Sequence, residues 1–356
     1  MKKLQRPIVV IFGAGATRGG IENTDEKNNV PPPVDKDFFD LANQLIGHQT
    51  PRLAGKVLDD VWKLYNRTYN IGLESYYREL ETRALIGGFA KTASRPKDWR
   101  KRQSDLEELI RRVIVQTTTK NTGAPTVEKK ESKAHKNLLK RLKQGDTVIT
   151  FNYDLVIEES FESAKLWNPI DGYDMETSGK TMGWTKRWLI EKKYKSGAKS
   201  AIKLLKLHGS INWKLIPDKI KLKPKPYLVT TRNGTPRPET ISILAPGWNK
   251  RIDKNPYKKL WRNARLRLEK CKTLVIVGYS LPETDLLAHA LLSEVVRMRA
   301  KRKDNLKQLH LADPNEGVKE RFIELFTPTL GSRGEIFKYK NIKQFNEKMG
   351  SSVNLS

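Results

Sequence analysis

The sequence predicts an α/β fold built on one parallel sheet, and three observations carry that prediction. Five apolar runs of strand length lie far apart along the chain: IVVIF (8–12), TVITF (147–151), LLKLH (204–208), TLVIVG (273–278) and LKQLHLAD (306–313). They are continuous rather than alternating, as strands buried on both faces are. Each gives way to small or polar residues, reading GAGAT, NYD, HGS, GYS and DPN in turn. Open α/β sheets bind their ligands beyond such C-terminal strand ends, so five clusters converge on one rim. IFKYK (336–340) adds an edge strand.

The stretch between the first two strands is too long for a single crossover helix. It holds helical segments at 37–46, 55–69 and 104–116, a loop at 117–130, and KAHKNLLKRLK (133–143) leading back to the sheet. In the third segment Ser104 and Glu107 form a capping-box pattern, and Leu106, Leu109, Ile110, Val113 and Ile114 make one face. A second excursion, 160–203, is aromatic and basic. After GYS a helix is predicted with Thr284 or Asp285 as N-cap, its apolar side made by Leu286, Ala290, Leu291, Val295 and Met298. His289, four residues after Asp285, is placed for a local contact with it. The organisation expected is a Rossmann-like domain over 1–35 and 145–356, interrupted by a mostly helical insertion over 36–144.

Composition narrows the function classes. One cysteine in 356 residues, Cys271, excludes an internal disulfide framework and any zinc site built from several thiolates. The five histidines show no metal-ligand spacing, so no protein-built metal site is expected. No apolar run reaches membrane-spanning length, and the apolar start ends in glycines instead of a cleavage site, which reads as cytoplasmic. The net charge of +28 is concentrated in 186–206, 219–225, 250–272 and 297–303. Such a field attracts polyanions, so it fits nucleic acid, an acidic protein partner or a solvated surface. Trp184, Trp188, Trp248 and Trp261 near these runs fit either base stacking or packing.

The first strand ends in GAGATRGG, which lacks the GxGxxG dinucleotide fingerprint of dehydrogenases, and NNVPPP follows instead of a regular helix. Taken together and in order, GAG with a small hydroxyl residue, TFNYD, KLHGS and VGYSLPETD resemble the sirtuin superfamily. The chain is most similar to the sirtuin-like domains of bacterial anti-phage defence proteins that hydrolyse NAD. The resemblance covers roughly 7–20, 145–158, 203–213 and 272–315. It implies that Gly13, Ala14 and Gly15 form the turn over the NAD pyrophosphate, with Thr17 near a serine position of relatives. It implies that Asn152 positions the nicotinamide ribose and attacking water, that Asp154 holds the nicotinamide side, and that His208 is the catalytic histidine at the ribose hydroxyls. Gly278 and Ser280 correspond to the later nucleotide-binding turn, and Asp313 and Asn315 to contacts with the adenosine half.

Those residue types suit the chemistry. Breaking the nicotinamide–ribose bond develops oxocarbenium character, so a sugar must be oriented and a nucleophile held on one face. A carboxamide holds water without competing for its proton, and a histidine accepts a proton near neutral pH. The same residues also have plain readings, Asn152 as a turn or cap and His208 as a satisfied core histidine. Deacetylating sirtuins carry a four-cysteine zinc module, which a chain with one cysteine cannot build. They also carry a loop whose phenylalanine shields the intermediate from water; here GGIENTDEKNNVPPPVDKDFF takes its place, with Asp37 and Phe38 as candidate site residues. The expectation is an NAD glycohydrolase for which NAD is substrate, acting in anti-phage defence. It would be restrained by self-assembly or by a separately encoded Argonaute-like or helicase-like sensor. The rival from another class is a non-catalytic, nucleic-acid-binding or structural subunit of a defence complex. A protein deacylase or ADP-ribosyltransferase stands further off.

Overall fold

The computed structural model describes residues 3–21, 30–47, 53–86, 96–120, 128–129, 132–162, 167–169, 171–175, 200–216, 219–222, 243 and 252–350. Ten strands are present among them: β1 (Ile8–Phe12), β2 (Thr119–Lys120), β3 (Glu128–Lys129), β4 (Thr147–Thr150), β5 (Lys203–Lys206), β6 (Trp213–Ile216), β7 (Lys219–Leu222), β8 (Thr273–Val277), β9 (Leu306–Ala312) and β10 (Leu330–Tyr339). Six form one sheet in the order β10-β9-β8-β1-β4-β5, with every neighbouring pair parallel. β2 with β3 and β6 with β7 make two small antiparallel ribbons. The chain therefore starts in the middle of the sheet, builds outward through β4 and β5, then returns to add β8, β9 and β10 on the other side. The reversal lies between β1 and β8. A crevice at such a switch point, beyond the strand ends, is where this architecture receives ligands.

The helices are α1 (Ala14–Gly20), α2 (Phe38–Ile46), α3 (Leu53–Leu64), α4 (Leu73–Ile86), α5 (Pro96–Thr118), α6 (Lys133–Leu139), α7 (Val156–Glu162), α8 (Tyr257–Lys270), α9 (Leu286–Arg302), α10 (Glu316–Phe326) and α11 (Ile342–Gly350). They bury two apolar clusters. The larger wraps the sheet and draws in Ala134, Leu138 and Leu139 of α6, so α6 packs with the sheet core although it falls inside 36–144. The smaller gathers Phe38, Leu58, Tyr76, Leu80, Leu109 and Val113 from α2 to α5, together with Tyr153, Leu155 and Ile211. Those last three belong to the segments that follow β4 and β5. The helical layer thus sits directly on the rim the sequence marks out.

Several elements differ from the sequence reading. α4 is an extra helix whose Leu73, Tyr76, Tyr77 and Leu80 are buried at helical spacing. α5 begins at Pro96, a residue suited to a first helical turn, which places Ser104 mid-helix; the Ser104–Glu107 capping box is not a helix start. α3 stops at Leu64 because Asn66 and Arg67 turn left-handed, with φ of 51° and 61°. β10 starts at Leu330 and sits at the sheet edge, with a register shift before Glu335. In α9 the buried face is Ala288, Leu291, Leu292, Val295 and Arg299, whereas Leu286 and Ala290 are exposed. The face is rotated by Arg299, whose guanidinium is drawn inward to donate to the carbonyls of Leu268, Glu269 and Cys271 at the end of α8.

Candidate functional site

The glycines after β1 and β8 interlock at the switch point. A methyl group on Gly13 would lie 2.5 Å from the Gly278 carbonyl oxygen, and one on Gly278 would lie 2.0 Å from the Ala16 nitrogen. Gly278 also takes φ +57°, a left-handed value that favours glycine. The Gly15 N–H donates to the Gly278 carbonyl at 2.9 Å and the Ala16 N–H to the Gly13 carbonyl at 3.0 Å. Here, then, Gly13 and Gly278 let two turns meet, and the amides of Gly15 and Ala16 are spent on the protein itself. Ala14 is half-buried at the first position of α1.

Beside this junction runs a directed relay. Asn152, just past β4, donates from Nδ2 to the Gly13 carbonyl at 2.9 Å and to Thr17 Oγ1 at 3.0 Å. Thr17 donates to Asp154 Oδ2 at 2.8 Å, and Asp154 Oδ1 accepts the Val156 N–H at 3.0 Å, holding the start of α7. The Gly13 carbonyl can only accept, which fixes the orientation of the Asn152 amide. Both amide protons are therefore used, and the remaining function of Asn152 is its carbonyl oxygen, an acceptor suited to a hydroxyl or a water. All three side chains are buried.

Next to it, beyond β5, His208 follows a strand that ends at Lys206, and Gly209 turns the chain at φ +84°. Its imidazole is boxed by aromatic rings, with Phe151 edge-on at 5.1 Å and Tyr153 and Trp261 at 6.2 and 6.3 Å. Tyr279 stacks on Phe151 at 4.3 Å. His208 Nε2 lies 3.2 Å from Asp285 Oδ2, which also accepts the Tyr279 hydroxyl at 3.1 Å. Burial, with Asp285 and Glu74 nearby, pushes the Tyr153 and Tyr279 phenols well above their usual range, so both stay neutral donors. One residue before the His208 turn, Lys206 is buried in β5; it binds Glu158 Oε1 at 2.9 Å and donates to the Asp154 carbonyl, bracing the two strand ends against each other.

A profile of the SIR2-like domain matches residues 146–325, just over half of the chain. The chain belongs to that family. Solved structures similar to this SIR2-like chain include a Sir2 homolog–NAD complex (14% identical, 98% of this chain and 89% of that one, TM-score 0.41). Others are a mutant Sir2 homologue with ADP-ribose (14%, 98% and 94%, 0.38) and a structure described as a basis for the mechanism and regulation of Sir2 enzymes (11%, 98% and 91%, 0.38). No curated protein matches.

The SIR2-like segment carries Asn152, Asp154, His208, Gly278, Ser280, Asp313 and Asn315, and β1 with its glycine turn precedes it. Ser280 is exposed, and its backbone carbonyl accepts from Arg321 at 2.7 Å. Asp313 and Asn315 build the start of α10: Asp313 Oδ1 accepts the Asn315 N–H at 2.9 Å, and Asn315 Oδ1 accepts the Gly317 N–H at 2.9 Å. Burial raises the Asp313 carboxyl above its ordinary value. Phe38 is a core residue of the helical layer, edge-on to Phe39 at 5.2 Å, while Asp37 pairs with Arg18 of α1. Arg18 also donates to the Pro32 carbonyl at 2.9 Å, so the proline segment is strapped to the helix after the glycine turn.

Trp261 is a buried anchor that donates to the Leu207 carbonyl at 3.1 Å; Trp184, Trp188 and Trp248 lie outside the described residues, as does most of the basic run 186–206. The His289 ring goes to the Pro282 carbonyl at 3.1 Å, and only its backbone N–H meets Asp285. Among the described residues no group of three or more His, Cys, Asp or Glu is placed to hold a metal ion, and no helix is long and apolar enough to cross a membrane.

Sequence reasoning missed two parts of this site. The contact of Asp285 with His208 links positions 77 apart in number, which no local pattern reveals. Glu74 of α4 binds the Thr284 hydroxyl and its backbone N–H donates to Asp35 Oδ1 at 2.8 Å. The spacing of Leu73, Tyr76, Tyr77 and Leu80 was a signal for that helix, carried by tyrosines that are half polar.

Proposed function

We propose that this chain is an NAD glycohydrolase that consumes NAD as substrate and releases nicotinamide and ADP-ribose. The observation that carries the reading is the pairing of two strand-end groups at the β1/β8 switch point: Asn152 with its carbonyl oxygen left as the working atom, and His208 with a carboxylate behind it. In the reaction the bond from the ribose C1′ to the nicotinamide nitrogen breaks and its electron pair leaves on nicotinamide. The oxygen of water bonds to C1′, and its proton passes to His208 and then to solvent. Asn152 accepts from the ribose or the water and fixes its direction, while the relay through Thr17 and Asp154 keeps the amide from rotating. The aromatic box around His208 keeps bulk water from competing. Gly278, Ser280, Asp313 and Asn315 line the β8 and β9 side, on which the adenosine half would lie, with Gly13, Ala14, Gly15 and Thr17 under the pyrophosphate.

Water is the favoured acceptor because a chain with one cysteine cannot build the zinc module of deacylating relatives. The biological output would be NAD depletion in the cytoplasm as part of antiviral defence. Restraint would come from a homo-oligomer or from a separately encoded sensor of Argonaute or helicase type, and the contact of the helical layer with the rim is what supports a restrained site.

A second reading, a nucleic-acid-binding subunit, is favoured by exposed Lys258, Lys259, Arg262 and Lys270 on α8 and Lys301 and Lys303 at the end of α9. One experiment separates the two. Purified chain, alone and with its genomic-neighbour protein and nucleic acid, is incubated with NAD beside the Asn152→Ala variant. The first reading expects nicotinamide release by the wild type and a loss of about 100-fold or more in the variant. No release under any of these conditions, with nucleic-acid binding that weakens steeply with salt, would replace it by the second.

A further inference from the structure

We infer that Asp285 is the positioning residue of His208, setting both the tautomer and the basicity of the imidazole; the inference rests on the NAD-hydrolysis reading above. Asp285 is the N-cap of α9, and a capping role would account for the residue only in part. Its Oδ1 faces the Ala288 N–H at 3.5 Å, a long cap, whereas Oδ2 is directed away from the helix to His208 Nε2 at 3.2 Å and the Tyr279 hydroxyl at 3.1 Å. A cap needs one oxygen. The second is occupied entirely by groups of the His208 pocket, and the residue is 1% exposed, so solvent does little to screen it.

The chemistry follows from that geometry. A carboxylate can only accept, so the neutral imidazole carries its proton on Nε2 and its lone pair on Nδ1. As His208 takes up a proton, the adjacent carboxylate stabilises the imidazolium that forms. The same attraction raises the basicity of His208 against the aromatic box, which by itself disfavours the charged ring. Every neighbouring element contributes a group to this balance. Tyr153 after β4 and Tyr279 after β8 are held neutral by burial, and Tyr257 of α8 stands close enough to act on Tyr153. From α4, Glu74 acts on both phenols and binds Thr284, the residue before Asp285. On α9 itself, His289 turns to the Pro282 carbonyl. Among the described groups facing the ring, Asp285 is the carboxylate within ion-pair distance of it.

The test uses the full chain labelled with 15N in its histidine rings, with the His208 signals assigned by their loss in His208→Gln. Ring tautomer and titration are followed in the wild type and in Asp285→Asn, and nicotinamide release is measured against pH for both. Asparagine caps helices as well as aspartate does, so the variant removes charge and leaves the cap. The expected result is a His208 pKa lower by about one unit or more in the variant. The acid limb of the turnover profile moves down with it, and turnover at pH 7.5 drops by at least about 10-fold. If Asp285→Asn does not fold, Asp285→Ser supplies the same uncharged cap. An unmoved ring titration with turnover intact overturns the positioning role and leaves the hydrolysis reading standing. A shifted ring in a chain that releases no nicotinamide under any activating condition removes the reaction, and with it the role of Asp285 in that reaction.

Discussion

Two buried histidines, one on each side of the sheet, show how differently this fold uses the same side chain. His310 lies within β9, stacked on Phe337 at 4.5 Å, with Nδ1 2.9 Å from the Tyr339 hydroxyl. Burial pushes its pKa down to about 4, and its Nε2 has no hydrogen-bond partner. His208 is buried to the same degree, yet it stands past the end of its strand with a carboxylate 3.2 Å from Nε2. Both sit among aromatic rings, so neither burial nor ring contact separates a core histidine from a working one. The difference is the partner: a neutral phenol holds a ring in place, whereas a buried carboxylate also gives its protonated form somewhere to go.

The sharpest way to break this comparison is to delete each ring. His208→Ala is expected to lower NAD turnover by about 100- to 10,000-fold while the chain remains folded. His310→Phe keeps the aromatic stack and removes the partner of Tyr339, at a cost of about 1–3 kcal/mol in stability. Its turnover per folded molecule is expected to equal that of the wild type. Thermal melts alongside nicotinamide release check both, and a folded His310→Phe as inactive as His208→Ala would end the distinction.

A smaller effect appears in the pH dependence of stability. His310 and His135 both have folded-state values near 4 against an ordinary 6.5, in each case through burial. Above pH 6.5 both are neutral whether the chain is folded or not, and they contribute no slope. Between 6.5 and 4 the unfolded chain binds protons that the folded chain refuses, so stability falls as the pH falls, by roughly 3 kcal/mol per histidine at most. Urea midpoints measured from pH 7 to 4.5 are expected to decline in the wild type and less steeply in His310→Phe. Parallel declines would mean that His310 is not held neutral.

The two histidines also show what was legible beforehand. LLKLH and LKQLH look alike as strands, and what tells them apart is the residue that follows: Gly209 ends one strand, and Leu311 continues the other. Strand ends, the switch-point glycines, Asn152 and His208 were readable because local signals mark them. Asp285 was readable as a cap, because capping is set by neighbours in sequence. Its contact with His208 depends on the β1/β4/β5 side and the β8 side closing together, and nothing local encodes that. Glu74 was hidden for a second reason, since tyrosines on the buried face of α4 blur its periodicity.

The weakest expected effect concerns the β9 side of the rim, where the sequence assigns Asn315 to the adenosine half and the structure shows it capping α10. Asn315→Ala removes the cap and is expected to cost about 1 kcal/mol of stability. Asn315→Ser keeps a capping oxygen, so it separates the two roles. If Asn315 touches the nucleotide, both variants raise KM for NAD and leave kcat unchanged, because an interaction made equally in the ground and transition states is lost. If it is a cap alone, Asn315→Ala lowers the melting temperature, Asn315→Ser restores it, and KM stays where it was in both. The second outcome would confine the working residues to the β1, β4, β5 and β8 ends, where His208 and its carboxylate are, and would place β9 with His310 on the structural side of the molecule.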